Sequence, residues 1–139
     1  MRIVLLFLLL ASTLYSQNEA PTDISLSSTS VNENESSGTI VGAFSSADED
    51  NGDSHTYTLV GGGGSSDNSS FSIIGDNLQT ATSFNYEDDN SYSIRIRTTD
   101  NGIGNLTYEE TFIITILDVN DAPTDISLSS TSVNENESS

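Results

Sequence analysis

A chain of 139 residues holds one domain of ordinary size, and with 34% apolar residues it can build a core. Lys and Arg number 3 against 21 Asp and Glu, a net charge of −18. That balance excludes nucleic acid, whose affinity rests on cationic contacts to phosphate, and it argues against anionic membrane surfaces.

Residues 1–16 read as a secretory signal peptide. Arg2 gives a minimal positive start, Ile3 to Ala11 is an apolar core, and a small, polar-leaning stretch runs to an expected cleavage after Ser16. The apolar part is too short to cross a bilayer, which takes about 20 residues. The protein is therefore expected to be secreted or held at the cell surface. Without the signal the charge becomes 2 − 21 = −19, and there is no cysteine to staple the fold. A domain that repels itself this strongly gains stability from a divalent cation.

Beyond the signal, period-two alternation dominates, broken by Gly, Asn, Asp and Ser. Strands are expected at 22–31, 38–45, 54–60, 70–74, 78–82, 91–99 and 107–117. Ile24 and Leu26 face inward on the first, and Tyr57 and Leu59 on the third. Tyr92, Ile94 and Ile96 do so on the sixth, and Phe112, Ile114 and Ile116 on the last. Residues 61–70 (GGGGSSDNSS) read as a flexible, wet loop. Seven short strands in about a hundred residues imply an all-β fold, a seven-stranded Greek-key β-sandwich.

Residues 20–37 (APTDISLSSTSVNENESS) recur unchanged at 122–139, an offset of 102. The repeat places one unit at 17–119 and the start of a second at 120–139, so further units are expected along a longer protein. Asp118, Asn120 and Asp121 fall on the seam, on a short linker closed by Pro123. Strand parity then sorts the acids. Glu33 after the first strand, Glu87 before the sixth and Asp118 to Asp121 after the seventh come out at one end. Asp48, Asp50 and Asp100 come out at the other. In an end-to-end series both clusters meet at the linker. Calcium, which takes 6–8 oxygens in tolerant geometry, suits such a seam; zinc prefers His or Cys, and the chain has one His and no Cys.

Five stretches, Val31-Asn32-Glu33-Asn34, Asp48-Glu49-Asp50, Phe84-Asn85-Tyr86-Glu87, Thr98-Thr99-Asp100-Asn101-Gly102 and Asp118-Val119-Asn120-Asp121-Ala122-Pro123, resemble in their order the motif set of cadherin repeats. The resemblance covers residues 20–123. It implies that Glu33, Glu87, Asp118, Asn120 and Asp121, helped by the carbonyl of Val119, hold calcium at the lower junction. It implies further that Asp48, Asp50 and Asp100 serve the upper junction. The chain departs from the pattern at three places. Asn85 stands where the family often has Asp, Ala122 replaces an Asn, and at the upper junction Ser16, expected to be cleaved off, stands one offset before Asp118 while Glu19 stands for Asp121, which leaves the top cluster without a proper partner. The upper site is therefore expected to be weakly filled or empty. With no Trp in the chain, exchange of strands through an N-terminal Trp is not available. The partners implied are neighbouring repeats of the same chain, and another cell-surface protein or glycan. The role implied is adhesion or rigid spacing, without enzymatic activity.

Competing readings are weaker. Asp48-Glu49-Asp50-Asn51-Gly52 echoes a calcium-loop opening, but the twelfth position is Leu59 where that loop needs Glu. His55, the one histidine, reads as structural, and no serine is marked as a nucleophile. A carbohydrate-binding sandwich would need exposed aromatics, for which Tyr86 and Tyr108 are the candidates.

Overall fold

The computed structural model describes residues 17–132 and residue 135, so the signal-peptide reading of residues 1–16 lies outside the described residues. The strands are β1 (Asp23–Leu26), β2 (Ser30–Asn32), β3 (Ile40–Ala47) and β4 (His55–Leu59), followed by β5 (Phe71–Ile74), β6 (Asn77–Thr80), β7 (Ser91–Asp100) and β8 (Thr107–Leu117). They form two four-stranded sheets, ordered β1-β3-β6-β5 and β2-β8-β7-β4. All neighbours are antiparallel except β2, which runs parallel to β8. This is the expected β-sandwich.

The longest alternations build the core. Ile94 and Ile96 on β7 and Ile114 and Ile116 on β8 are fully buried, while Arg95 and Arg97 lie on the opposite face. Each such isoleucine contributes roughly 1.5–3 kcal/mol by leaving water. From the facing sheet come Ile24, Val41, Phe44, Phe71 and Leu78. Phe44 stacks on Tyr57 with ring centroids 5.1 Å apart, and Phe84 meets Tyr92 at 4.6 Å. Three hydroxyls beside the core are paired with one another. Ser46 Oγ lies 2.7 Å from Thr98 Oγ1 and 3.1 Å from the Tyr57 hydroxyl. Tyr57 is buried, and Tyr86, Tyr92 and Tyr108 are half-buried against the core.

Two expectations need correction. The first strand is not continuous over 22–31. Its first part pairs with β3 and its second with β8, so the chain changes sheets at residues 27–29. Gly42 permits the crossing, since a Cβ there would lie 2.7 Å from the Ser28 carbonyl oxygen. The sequence carries the trace of the break. Ile24 and Val31 are both buried, yet they are seven positions apart, an odd offset that no single regular strand can place on one face.

Residues 61–70 are not a loose loop either. The Val60 N–H donates to Arg95 O, and the Asp67 N–H donates to Ser93 O. Asp67 Oδ2 accepts the Ser93 N–H at 2.7 Å, and Asn68 Oδ1 accepts the Arg95 N–H at 3.0 Å. These groups continue the edge of β7 beyond the end of β4, partly by side chains acting as backbone carbonyls. The polar composition that suggested a flexible, wet loop is in fact the hydrogen-bonding material of a strap.

The topology sends the β3–β4, β5–β6 and β7–β8 connections to one end of the sandwich. The end of β2, the β6–β7 loop and the end of β8 lie at the other.

Candidate metal centres at the two ends

The lower end is organised by Glu33. Because β2 runs parallel to β8, with Asn32 opposite Leu117, the next residue emerges beside the linker. The Glu33 N–H donates to Leu117 O at 3.0 Å, and the Asn34 N–H donates to Phe84 O at 2.9 Å. Asn34, with φ 61°, turns the chain away, a conformation asparagine tolerates better than most residues. The Glu33 residue is only 2% exposed. Its Oε1 accepts the Val119 N–H at 2.8 Å and its Oε2 the Tyr86 N–H at 2.9 Å. One carboxylate thus ties together the end of β2, the β6–β7 loop and the linker. Those two N–H groups, Val119's first, hold its carboxyl below the usual glutamate range.

Around Glu33 stand Glu87 and Asp121, both exposed, and one oxygen from each of the three lies within 4.8 Å of the others. The Asn34 side-chain amide donates to Asp121 Oδ1 at 3.2 Å. Asp118, Val119 and Asn120 are exposed on the same linker, and Asp118 is outside the three-oxygen group.

The upper end gathers Asp48, Asp53 and Asp100, again with one oxygen each within 4.8 Å of one another. Asp100 is buried, and its Oδ1 accepts the Gly102 and Leu106 N–H groups, which fixes the β7–β8 turn. Asp48 Oδ1 accepts the Asp50 N–H at 3.0 Å, while its Oδ2 lies 2.9 Å from His55 Nε2. The Asp50 N–H first, and His55 second, lower the Asp48 carboxyl. Asp53 has the opposite environment. Among the described residues its Oδ2 is a buried oxygen with no hydrogen-bond partner. Burial first, then the charges of Asp50, Asp100 and Asp48, push its carboxyl up.

Asp53 was not among the residues expected from sequence. The signal lay in Asn51-Gly52, a dipeptide that marks a tight turn. The turn closes with the Asp53 N–H on Asp50 O at 3.3 Å and folds Asp53 back over the cluster. Asp50, which was expected, stands beside Asp53 but outside the three-oxygen group, and its Oδ2 accepts the Glu19 N–H at 2.6 Å.

The N-terminal segment lies across this end. The Asn18 side-chain amide donates to Asp100 Oδ2 at 3.0 Å and to Ile103 O at 3.2 Å. Asn18 and Glu19 stand one 102-residue offset before Asn120 and Asp121. The upper end therefore carries the linker by which the chain enters, and the lower end carries the corresponding positions of the linker by which it leaves.

Carboxylates this close repel. A pair at about 4 Å costs about 1 kcal/mol in water and about 4 at the effective dielectric near a protein surface. Oxygens on opposite sides of a calcium ion are about 4.6–5.2 Å apart, given ligand distances of 2.3–2.6 Å. Both trios fit within that span. The donor sets are all oxygen, and the unpaired Asp53 Oδ2 is a ligand atom held ready, so the residues fit a hard cation.

The family model for the cadherin domain matches residues 27–117. No curated protein matches the chain. Among solved structures, the Protocadherin GammaB4 extracellular domain is 27% identical with a TM-score of 0.53, over 71% of this chain and 16% of that one. The Protocadherin gammaB7 EC3-6 cis-dimer structure is 27% identical with a TM-score of 0.51, over 72% of this chain and 25% of its own. Domains 3-6 of Protocadherin Gamma B2 share the fold at 23% identity and a TM-score of 0.58, over 73% and 26%. The chain thus spans about a quarter or less of the length of these structures.

Proposed function

The chain belongs to the cadherin domain family, and from that premise we propose that it is a calcium-binding extracellular module whose neighbours in a longer protein are joined to it end to end by shared metal ions. Glu33, Glu87 and Asp121, with Asp118, Asn120 and the Val119 carbonyl, hold the metal at the lower junction. Asp48, Asp50, Asp53 and Asp100 serve the upper one. The module works in adhesion to another cell-surface protein or glycan, or as a rigid stalk, and it is not an enzyme.

One observation carries the reading: equivalent linker positions, one repeat apart, lie at the two acidic ends of the same fold. Asn18 and Glu19 touch Asp100 and Asp50 above, while Asp121 joins Glu33 and Glu87 below. Placing Asn120 and Asp121 where Asn18 and Glu19 sit brings the next unit's upper trio onto this unit's lower trio. Six carboxylates, the linker's own Asp121 among them, then crowd one joint, and bound cations offset their repulsion. At this unit's own upper end the longer Glu19 replaces the Asp of the linker, so metal is held more weakly there.

Calorimetric titration of residues 17–139 with calcium tests the assignment. Binding with a dissociation constant of about 10⁻⁴–10⁻³ M is expected, the range of extracellular modules. Changing the exposed Glu87→Gln and Asp121→Asn together should weaken it by about tenfold or more. An isotherm unchanged by that pair would refute the lower site.

A further inference from the structure

The tripeptide Asp-Asn-Gly occurs twice in the chain, at 50–52 in the β3–β4 connection and at 100–102 in the β7–β8 connection. Both lie at the upper end of the sandwich. An asparagine followed by glycine is a labile pair. The glycine nitrogen can reach the asparagine Cγ to close a five-membered ring, and no side chain on the glycine hinders the approach. By sequence the two pairs are equivalent, and the fold separates them.

At Asn101-Gly102 both reacting atoms are held. Asn101 Oδ1 accepts the Ser54 N–H at 2.8 Å, which fixes the side chain carrying the electrophilic carbon. The Gly102 N–H donates to Asp100 Oδ1 at 3.1 Å, so the nitrogen keeps its proton and faces a buried carboxylate. The Asn18 side chain lies against Gly102 and fills the space beside it.

Asn51-Gly52 has none of these restraints. Both residues are exposed, and among the described residues neither the Asn51 side chain nor the Gly52 N–H has a hydrogen-bond partner. A Cβ placed on Gly52 would meet nothing within 4 Å. The pair sits in a turn outside either sheet, where the backbone moves most freely.

We propose that Asn51 is a site of spontaneous deamidation and isomerisation, from which the fold protects Asn101. The Gly52 nitrogen gives up its proton and bonds to Asn51 Cγ. The Cγ–Nδ2 bond breaks, ammonia leaves, and a cyclic imide remains. Water adding at Cγ breaks the new bond and leaves aspartate. Water adding at the main-chain carbonyl breaks the original peptide bond and leaves isoaspartate, with the chain now running through Cβ and Cγ. No oxidant, reductant or enzyme takes part.

Both products add a negative charge beside Asp50 and Asp53. Isoaspartate also lengthens by one backbone atom the turn that the Asp53 N–H closes on Asp50 O. Asp53 then loses its place beside Asp48 and Asp100, so the upper cluster changes with age at a single residue. The reaction itself does not depend on a metal being bound there.

The purified chain, held folded in chelator at mildly alkaline pH and sampled over days, tests the assignment. Peptide mapping by mass spectrometry reads conversion of amide to acid at each pair, and an enzyme that methylates isoaspartate labels the isomerised product. Conversion at Asn51 is expected to run about tenfold or more faster than at Asn101, which must open locally before it reacts. In denaturant the two rates should approach each other, because only the fold distinguishes the pairs. Asn51→Gln, a change at an exposed side chain, should remove the labelled product from the folded chain. No conversion at Asn51 in the folded chain, or equal conversion at both pairs, would overturn the proposal.

Discussion

Replacing Asp53 by Asn removes a negative oxygen that faces Asp50, Asp100 and Asp48 and has no hydrogen-bond donor. Because burial and those charges raise its carboxyl, its ionised form opposes folding. Its contribution is favourable below the ordinary aspartate value of 3.8 and is lost as pH rises through the raised folded value. Asp53→Asn should therefore raise the melting temperature at pH 7 in chelator, with the gain vanishing in acid. With saturating calcium the order should reverse, the wild type melting higher. A variant equally stabilised with and without calcium would mean that Asp53 holds no metal. Glu109 shows the opposite sign. Arg97 and then Arg95 lower its carboxyl, through contacts of 2.6 and 2.9 Å. Its contribution is present above 4.5 and fades as pH falls through the lowered value, so Glu109→Gln should lose stability at pH 7 and converge on wild type in acid. Denaturant titration across that range reads it. At this scale the sequence was informative about acids at strand ends, since Glu33, Asp100 and the linker follow from parity. It was less informative inside the β3–β4 loop, where a two-residue turn, not strand direction, decides that Asp53 and not Asp50 joins the trio.

Strands whose alternation runs unbroken were legible at once. β8 has the expected bounds, and β7 differs from expectation by one residue. Both owe this to isoleucines every second position, which leave only one face to bury. The first strand was misread because serines at 27–28 continue a polar pattern without marking where the chain changes sheets. Gly42 is the residue that allows the change, and its environment predicts the cost of altering it. A Cβ at that position would meet both the nitrogen and the oxygen of Ser28 at under 3 Å, and backbone yields poorly. Gly42→Ala should cost about 1–3 kcal/mol by overpacking, read by denaturant unfolding. An unaffected variant would show that the crossing has slack. The strap at 61–70 escaped notice for a related reason. Asp67 and Asn68 look like loop residues in sequence, yet their side chains complete the bonding of β7.

For the whole molecule, the sandwich was readable from its alternating runs, and the 102-residue repeat adds the proposal that the unit ends at the acids of residues 118–121. The sandwich supplies the rest by putting the entry and exit of the chain at opposite ends, each beside three carboxylates. A series of such units with a net charge this negative should be flexible at its joints when calcium is absent and stiff when it is present. Small-angle scattering from a two-unit protein, formed by continuing the chain through a second copy of residues 38–121, measures that difference directly. The account predicts that calcium at about 1 mM lengthens the maximum dimension towards that of two sandwiches end to end, with a single sharp distribution. It predicts that Glu87→Gln with Asp121→Asn in the first unit abolishes the change. A scattering profile that stays the same from chelator to millimolar calcium would contradict the metal-bridged joint.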